Sequence, residues 1–426
     1  MVIGQETGFL PLRRPVNRNR FLRDFAKAGV LMDSTRLKIG LFVDVFFPMV
    51  DGVAVVVDNY ARRLAKTMDV TVFCPKARSQ EYIDAFPYRV IRCRKVPIPK
   101  SDYDLSLPLI DPAFAKHLME SRLDIVHVHS PFFIGQIGIE YAKVHRIPVV
   151  ATLHSQYQRD FLEKTKSPWL AKIGAEGVAT IFNACDECWA VNRPIAELYR
   201  GFGIKKPLIV RYNATDLVPL PPGDDTDLKS KYGIREGDSV LLFVGRIDPI
   251  KNIFFSLDVV ERIHRTGWPI RMLYVGSGPA MADLEAKVKE KGLQETVRLV
   301  GRIVDRTELA RHYRLADLFL FPSLYDASSL VQIEAASQST PTFFIEGAAT
   351  ADTVCDQING FLAPNDPEIF SRTVLEILKD PDRLRTVSRG ALRDLYQSWD
   401  QAVENAGIRY RELIEEKKRG IPVPRT

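Results

Sequence analysis

The sequence predicts an α/β protein of two domains, each built around a mostly parallel sheet. Its 426 residues exceed the size at which a single hydrophobic core usually stops growing. Short apolar runs alternate with polar turns and helical stretches along most of the chain, as in successive βα units. A Pro-, Gly- and Asp-rich segment near 213–225 has the composition of a linker between the two series.

The overall composition is that of a soluble globular protein, with 46% hydrophobic and 26% charged residues. No apolar run approaches the roughly 18 residues of a membrane span, and no signal-peptide pattern is visible. Five scattered cysteines indicate a reducing, cytoplasmic compartment, and the lone Cys185/Cys188 pair indicates packed thiols rather than a zinc site. No basic run interleaved with aromatics is present, so nucleic acid is not an expected partner.

The basic excess is concentrated in an N-terminal extension, residues 1–36, which holds seven Lys/Arg against three Asp/Glu. Within it, Phe21–Lys27 has the pattern of a short basic amphipathic helix that could lie on an anionic membrane surface. The alternatives are a disordered leader, or extra residues ahead of a native start at Met32.

The first domain, 37–213, begins with a buried strand at Leu37–Asp44. A loop that contains Gly52 follows, and then a helix to about Met68 whose apolar residues recur on one face. We expect further strands near 70–74, 125–129, 148–153, 187–191 and 208–212. The segment from 97 to 104 is predicted to be an irregular loop.

Three histidines lie on two of these strands. His127 and His129 share one face of a strand, where a hydrogen-bonded core pair is more common than a metal site. His154 ends the next strand, at the edge of the sheet where ligands bind, so we predict a functional role. The alternative for His154 is a structural cap.

The second domain, 214–395, begins with strand Ser239–Val244, and Gly245, Arg246 and Lys251 follow at the start of a helix. Two fixed positive charges beside free helix amides suit a diphosphate, although solvated surface charges are the alternative. After Trp399, within 396–426, a charged helix is expected to cross back to the first domain.

A βαβ unit at 317–346 completes the pattern, with strand Leu318–Phe321, helix Leu330–Ser337 and strand Thr342–Ile345. Asp326 opens the turn before the helix and Glu334 lies one turn inside it. The backbone amides between these two acids stand at a helix N-terminus, where a phosphate binds well. An ordinary turn with two solvated acids is the alternative.

In order, the Gly52 loop, His154, the linker, Gly245-Arg246…Lys251 and Asp326…Glu334 resemble the motifs of retaining glycosyltransferases of the GT-B fold, family 4. The resemblance spans about 37–400 and implies two Rossmann-like, doubly wound domains facing across a cleft. It departs in having Asp326 where Glu is usual. A second departure is Ala-Ser-Ser where a small residue, an aromatic and a Gly are usual, which places a Cβ where the backbone nears the ligand.

The resemblance also implies a role for each site residue. Asp326 would face the hydroxyls of the donor sugar, Glu334 would hold the ribose, and His154 would touch the sugar near the acceptor cleft. The remaining residues would surround or neutralise the leaving diphosphate: Gly52, Gly245, Arg246, Lys251, Ala327, Ser328, Ser329 and Leu330. No metal and no cofactor is implied.

The implied reaction is hexose transfer from a UDP- or GDP-hexose to a sugar or lipid acceptor, with retention of configuration. The Phe-Phe-Pro…Asp-Gly-Val loop and the His-Ser-Gln-Tyr stretch are similar to bacterial enzymes that glycosylate diacylglycerol. Such an enzyme would be cytoplasmic and peripheral on the inner face of the membrane. The alternatives are a soluble acceptor, a GT-B epimerase or phosphorylase, and a non-catalytic subunit that binds a sugar nucleotide.

Overall fold

A computed structural model describes residues 36–49, 51–79, 82–98, 104–324 and 326–420. The N-terminal segment with the predicted helix Phe21–Lys27 lies outside the described residues, as do Asp102, Tyr103 and Tyr325. Leu37–Thr426 forms one compact unit.

The first sheet is wholly parallel, and its seven described strands lie in the order β3-β2-β1-β6-β7-β8-β9. A separate antiparallel pair, β4 with β5, lies outside it. The strands are β1 Lys38–Phe42, β2 Asp69–Pro75, β3 Arg89–Cys93, β4 Lys95–Pro97, β5 Asp104–Ser106, β6 Ile125–Val128, β7 Val149–Leu153, β8 Glu187–Ala190 and β9 Leu208–Val210.

Helices cover both faces of this sheet, so its strands are apolar and buried on both sides, as parallel sheets require. The helices of this part of the chain are α1 Gly52–Leu64, α2 Pro112–Glu120, α3 Phe133–His145, α4 Tyr157–Thr165, α5 Pro168–Phe182 and α6 Arg193–Gly201. A short 3-10 turn, Pro108–Ile110, precedes α2.

The second sheet is also parallel, with described strands in the order β12-β11-β10-β13-β14-β15. Its strands are β10 Ser239–Val244, β11 Ile270–Val275, β12 Val297–Gly301, β13 Leu318–Leu320, β14 Thr342–Ile345 and β15 Phe361–Ala363. The accompanying helices are α7 Thr226–Tyr232, α8 Ile253–Arg265, α9 Met281–Glu290, α10 Arg306–Leu315, α11 Leu330–Ser337, α12 Pro367–Leu378 and α13 Pro381–Leu395.

Each sheet reverses its strand order at one point, between β1 and β6 in the first and between β10 and β13 in the second. Ligands of doubly wound sheets bind outside the carboxyl ends of the strands at such a switch point. The predicted two-domain, doubly wound α/β fold is therefore confirmed, and each of its two sheets has one such switch point.

The last helix, α14 (Trp399–Lys418), packs on the first sheet beside α1. Its buried residues, among them Val403 and Tyr410, share a core with Leu41 and Val57. The outgoing linker and the returning segment run side by side, because Thr215 and Ser398 form a parallel bridge. The chain therefore crosses between the two sheets twice at one place.

Several local expectations differ from the structure. Strand β3 and the β4–β5 pair occupy part of the region predicted to be an irregular loop or left unassigned, and α1 ends at Leu64 rather than near Met68. The βα pattern implies a helix between β7 and β8 without giving its bounds, and the structure has two helices there, α4 and α5. None of the described helices is long and apolar enough to cross a membrane.

Candidate active site

The loops after β10 and β11 are packed backbone to backbone. The Gly245 amide donates to the Val275 carbonyl at 3.0 Å. A Cβ on Gly276, which has φ +140°, would lie 1.8 Å from the Gly245 carbonyl oxygen. Two glycines therefore permit the close approach that fixes the Gly245–Lys251 loop at the mouth of the sheet.

The loops after β10 and β13 bring Lys251 and Asp326 together. The Lys251 Nζ contacts Asp326 Oδ1. Asn252 Nδ2 donates to the Pro322 carbonyl at 3.3 Å, which ties the two loops together beside this pair. Adjacent strands at the switch point thus place a cation and an anion 75 residues apart in direct contact.

The second oxygen of this carboxylate is unusual. Asp326 Oδ2 is buried and has no hydrogen-bond partner among the described residues. A buried acceptor without a donor is unfavourable by about 1–3 kcal/mol, so such groups often belong to ligand sites. A hydroxyl of a bound sugar would satisfy it.

Arg246 is the more exposed of the two cations, and its nearest acidic neighbour is Asp248, with an Nε–Oδ2 distance of 3.3 Å. The Asp248 side chain also accepts from the Ile250 amide, which shapes the 3-10 turn Pro249–Lys251. The guanidinium therefore projects from the same short loop that carries Lys251.

The segment between the two acids ends in a capped helix. Ser329 is the N-cap of α11, and its Oγ accepts from the Gln332 amide at 3.2 Å. The first-turn amides of a helix have no partner within the helix, and they carry the positive end of its dipole. The predicted anion-binding segment therefore begins directly after Asp326, the residue that Lys251 contacts. It consists of Ala327, Ser328, Ser329 and Leu330.

Glu334 lies inside α11 and is engaged by protein groups. Its Oε1 accepts from Arg306 Nη2 at 2.7 Å, and its Oε2 accepts from Tyr313 Oη at 3.0 Å. Burial raises the pKa of Glu334, and the Arg306 charge opposes that shift. Arg306 also pairs with Asp216 at 2.5 Å. No local sequence signal pointed to Arg306 or Tyr313. The ribose role of Glu334 stays a prediction, and a ribose would have to bind oxygens that already accept bonds from these two residues.

Side chains of the first domain donate hydrogen bonds to two main-chain carbonyls and one hydroxyl of the same loop. Gln156 Nε2 donates to the Asp326 carbonyl at 3.3 Å, and Asn192 Nδ2 donates to the Ala327 carbonyl. Asn213 Nδ2 donates to Ser328 Oγ at 3.0 Å. Three amide side chains that follow three strand ends of the first sheet therefore fix the path of the loop.

His154 stands at the end of β7 and belongs to a chain of histidines. Its Nε2 lies 3.0 Å from His129 Nδ1, while His127 bonds to Thr152 Oγ1 and to Tyr410 Oη, each at 2.6 Å. Burial lowers the pKa of His154 to about 3, so its ring is neutral near pH 7.

One of the four ring nitrogens of the expected core pair has no partner within the described part of the chain. His127 has both ring nitrogens bonded, whereas His129 Nε2 is buried and has no partner within the described part of the chain. Tyr410, which reaches His127 from α14, was missed because it lies 283 residues away in the sequence.

Gly52 is the first residue of α1 rather than part of a loop, and Asp51 caps that helix through the Val53 amide at 2.7 Å. A Cβ on Gly52 would meet nothing within 4 Å. In this structure the position does not require glycine for packing, so its predicted contact with a diphosphate stays a prediction.

Sequence reasoning also missed Asp44, which follows β1 at the first switch point. Its carboxylate accepts from Ser130 Oγ at 2.6 Å and from the Ile134 amide at 3.0 Å, which caps α3. Burial raises the pKa of Asp44, and these hydrogen bonds oppose the rise. An acid directly after the first strand was the available signal.

A cavity of about 300 Å³ lies behind the loop, where both domains and the returning segment meet. Ser328 and Ser329 border it on one side and Asn192 and Asn213 on the other. No set of three or more His, Cys, Asp or Glu within the described ranges is placed to hold a metal ion.

Two models of known protein families match successive parts of the chain. The family model Glycosyltransferase Family 4 matches residues 50–218, and Glycosyl transferases group 1 matches residues 224–393. The alpha-monoglucosyldiacylglycerol synthase of Acholeplasma laidlawii is 26% identical over 83% of this chain and 92% of its own. A D-inositol 3-phosphate glycosyltransferase of Thermobispora bispora is 27% identical over 71% of this chain and 73% of its own.

The fold has close parallels among solved structures. Anabaena HepE, crystallised with UDP and glucose, superposes with a TM-score of 0.69 at 16% identity and covers 88% of this chain and 99% of its own. At that identity the likeness concerns the arrangement of the two sheets.

Proposed function

This chain belongs to the GT-B glycosyltransferases of family 4, and we propose that it moves a hexose from a nucleoside-diphosphate sugar to a hydroxyl of a membrane lipid. One observation carries the donor half of the proposal. At the switch point of the second sheet, Lys251 contacts Asp326 beside the N-terminus of α11, and Asp326 Oδ2 is buried without a partner in the described structure. Cationic, acceptor and amide groups are thus assembled for a sugar diphosphate, with UDP- or GDP-hexose as the expected donor.

Lys251, Arg246 and the α11 N-terminus would bind the diphosphate. Breaking the bond between the anomeric carbon and the diphosphate oxygen places negative charge on the leaving group. Fixed cations and helix amides stabilise such charge without reorganisation, which is the largest catalytic effect in many enzymes. Lys251, Arg246 and the helix amides would supply the stabilising positive charge in place of a metal ion.

Asp326 would orient the sugar rather than attack it. Its Oδ1 is held by Lys251, which leaves Oδ2 to accept a hydroxyl of the hexose. The carboxylate of Glu334 is already bound to Arg306 and Tyr313, so it is not free to act as a nucleophile.

A displacement on one face of the sugar fits these groups. The acceptor oxygen would form its bond to the anomeric carbon on the face from which the diphosphate departs, and the departing phosphate oxygen would take the acceptor proton. The configuration is then retained. His154, at the carboxyl edge of the first sheet, would contact the sugar as a neutral hydrogen-bonding group.

Relatives support a lipid acceptor. The Acholeplasma relative is named for an alpha-glucosyl product on diacylglycerol, and a retaining enzyme forms an alpha linkage from an alpha-configured donor. A chain with such an acceptor would work at the inner face of the cell membrane from the cytoplasm.

The test supplies purified protein with UDP-glucose, UDP-galactose or GDP-mannose and with diacylglycerol in mixed micelles, with and without EDTA. We expect a glycolipid whose anomeric configuration, read by NMR, matches that of the donor, and we expect EDTA to leave the rate unchanged. Inverted product, or strict dependence on a divalent metal, would reject the mechanism. Donor binding without transfer or hydrolysis would instead identify a non-catalytic subunit, and transfer only to inositol phosphate or another soluble acceptor would overturn the lipid assignment.

A further inference from the structure

The helical hairpin α4–α5 presents large apolar side chains to solvent. Trp169 is 69% exposed, Leu170 and Ile173 are each 46% exposed, and Leu162 on the neighbouring helix is 40% exposed. Trp169 and Ile173 are four residues apart, so they lie on one face of α5. These four residues are termed the hairpin face.

Folding of the hairpin does not require this exposure. The opposite side of α5, with Ala171, Ala175 and Phe182, is already buried in the first-domain core. Only Lys172 and Glu176 are charged among its 15 residues. A helix that is apolar on both sides is normally surrounded by apolar material, whereas within the described part of the chain the hairpin face is exposed.

The hairpin face is held rigidly. The Phe161 ring of α4 packs so closely on α5 that a Cβ at Gly174 would lie 2.5 Å from its Cδ2. Ser167 caps α5 through the Leu170 amide, which fixes the turn between the two helices. Its exposed residues are therefore displayed in a defined arrangement.

Positive charge borders the hairpin face. Lys164 and Lys166 lie at the turn beside one acid, Glu163. Lys172 lies on α5 beside Ile173, with the Glu176 carboxylate 3.8 Å from its ammonium. All three lysines are exposed. Tryptophan and leucine flanked by lysine are typical of helices that lie in the headgroup region of anionic bilayers.

Helix α4 joins the hairpin face to the edge of the sheet where His154 lies. Helix α4 begins at Tyr157, three residues after His154, and the Phe132 ring contacts Tyr157 with centroids 5.6 Å apart. Phe132 and Phe133 are themselves exposed at the start of α3. Two exposed aromatic rings therefore lie at the carboxyl edge of the first sheet, where the hairpin begins.

We propose that the hairpin face is the surface by which this chain sits on an anionic lipid bilayer. Trp169, Leu170 and Ile173 enter the headgroup boundary, and the lysines contact lipid phosphates. A lipid acceptor then reaches the cleft past Phe132 without leaving the membrane. Only this last step rests on the proposed function, because binding to the bilayer is independent of the reaction.

Vesicle binding of the full-length protein tests the assignment. We expect co-sedimentation with phosphatidylglycerol vesicles that weakens in high salt and is slight with phosphatidylcholine. Of the four tryptophans, Trp189 and Trp399 are buried and Trp268 is partly buried. Binding should therefore blue-shift the Trp169 emission and allow its quenching by brominated lipid, and Trp169→Phe should abolish that quenching.

Matched variants test whether vesicle binding depends on the hairpin face rather than on other exposed apolar residues. Trp169→Ser/Ile173→Ser should lower the partition coefficient at least tenfold, and Lys164→Glu/Lys166→Glu at least fivefold. Val304→Ser/Ile408→Ser, which changes two exposed apolar residues elsewhere, should leave it unchanged. Unaltered melting temperatures would show that the variants are folded, as expected for exposed positions.

Other outcomes overturn the proposal. Full binding by the Trp169/Ile173 variant, with loss on deletion of residues 1–31, would assign the membrane contact to the N-terminal segment. A dimer that the same variant dissociates would make the hairpin face an interface between copies.

Transfer to diacylglycerol in detergent by all variants, with loss of transfer on vesicles only in the hairpin variants, would support both proposals. Vesicle binding without any lipid glycosylation would reject the proposed function alone.

Discussion

Asp326→Asn and Lys251→Ala should change nucleoside diphosphate binding in opposite directions. In the structure the ammonium of Lys251 contacts Asp326, and the two side chains are only 20% and 18% exposed. A diphosphate must therefore compete with the carboxylate for this cation. Neutralising Asp326 removes the competitor, whereas removing Lys251 deletes the binding charge.

The magnitudes follow from the partial burial of the pair. Exposed ion pairs contribute up to about 1 kcal/mol, and breaking buried ones costs about 3–5 kcal/mol, so an intermediate value of about 1.4 kcal/mol is expected here. Asp326→Asn should thus bind UDP or GDP about tenfold more tightly. Its turnover should fall about 10- to 100-fold, because a charged hydrogen bond to the sugar is lost. Lys251→Ala should weaken nucleoside diphosphate binding and lower kcat/KM by about 30- to 1000-fold, or about 2–4 kcal/mol.

Calorimetric titration with UDP and GDP at fixed ionic strength measures binding, and steady-state kinetics with the intact donor measure turnover. The double variant completes the cycle and isolates the coupling between the two residues. Arg246→Ala provides a comparison, since this cation has no contact with Asp326 in the described structure and should lower turnover without opposing effects. Weaker nucleoside diphosphate binding in Asp326→Asn, equal to that of Lys251→Ala, would refute the assigned roles.

Three further outcomes are expected. Glu334→Gln should weaken binding of donor and free nucleoside diphosphate alike, if its carboxylate also reaches the ribose; calorimetry that finds only the donor affected would contradict that role. Burial lowers the pKa values of His127, His129 and His154, so below pH 6.5 the unfolded chain binds more protons than the folded chain, and stability is lost as the pH falls. Because its pKa is lowered to about 3, His154 alone should remove about 2 kcal/mol between pH 7 and 5. His129→Asn should flatten the dependence of Tm on pH, and an unchanged slope would be evidence against it. Gly276→Ala should cost about 2 kcal/mol or more in denaturant unfolding, well above the control Gly267→Ala, whose positive φ has open space around it.

The elements that position the site could be predicted because their signals are local. A strand, a glycine and two cations before α8 lie within one segment, as do strand β13, the turn and α11. Parallel pairing then brings consecutive βα units to one edge of a sheet, which follows from topology rather than from any single residue. In the confirmed fold, the loop that contains Lys251 and the turn that contains Asp326 therefore lie at the same switch point.

Contacts that depend on distant partners could not be predicted. Nothing near Glu334 identifies Arg306 as its counter-ion, and nothing near His127 identifies Tyr410, because both pairings arise from how helices pack on the sheets. The division of the β7–β8 connection into two helices could not be predicted for a different reason. The outward face of α5 carries Trp169, Leu170 and Ile173, so the usual contrast between a polar and an apolar side is weak there.

The two serines of the loop before α11 have a physical explanation. Ser329 stands where the resembling motif usually has glycine, yet its φ of −103° is accessible to any residue, and its hydroxyl caps α11 through the Gln332 amide. Ser328 accepts a hydrogen bond from Asn213 of the first domain at 3.0 Å, which neither glycine nor a phenylalanine could do through its side chain. The loop therefore keeps a path compatible with a helix N-terminus, and it gains one bond within its own helix and one across the cleft. Because the second bond comes from the first domain, the position of Ser328 in the predicted anion-binding segment depends on Asn213 as well as on α11.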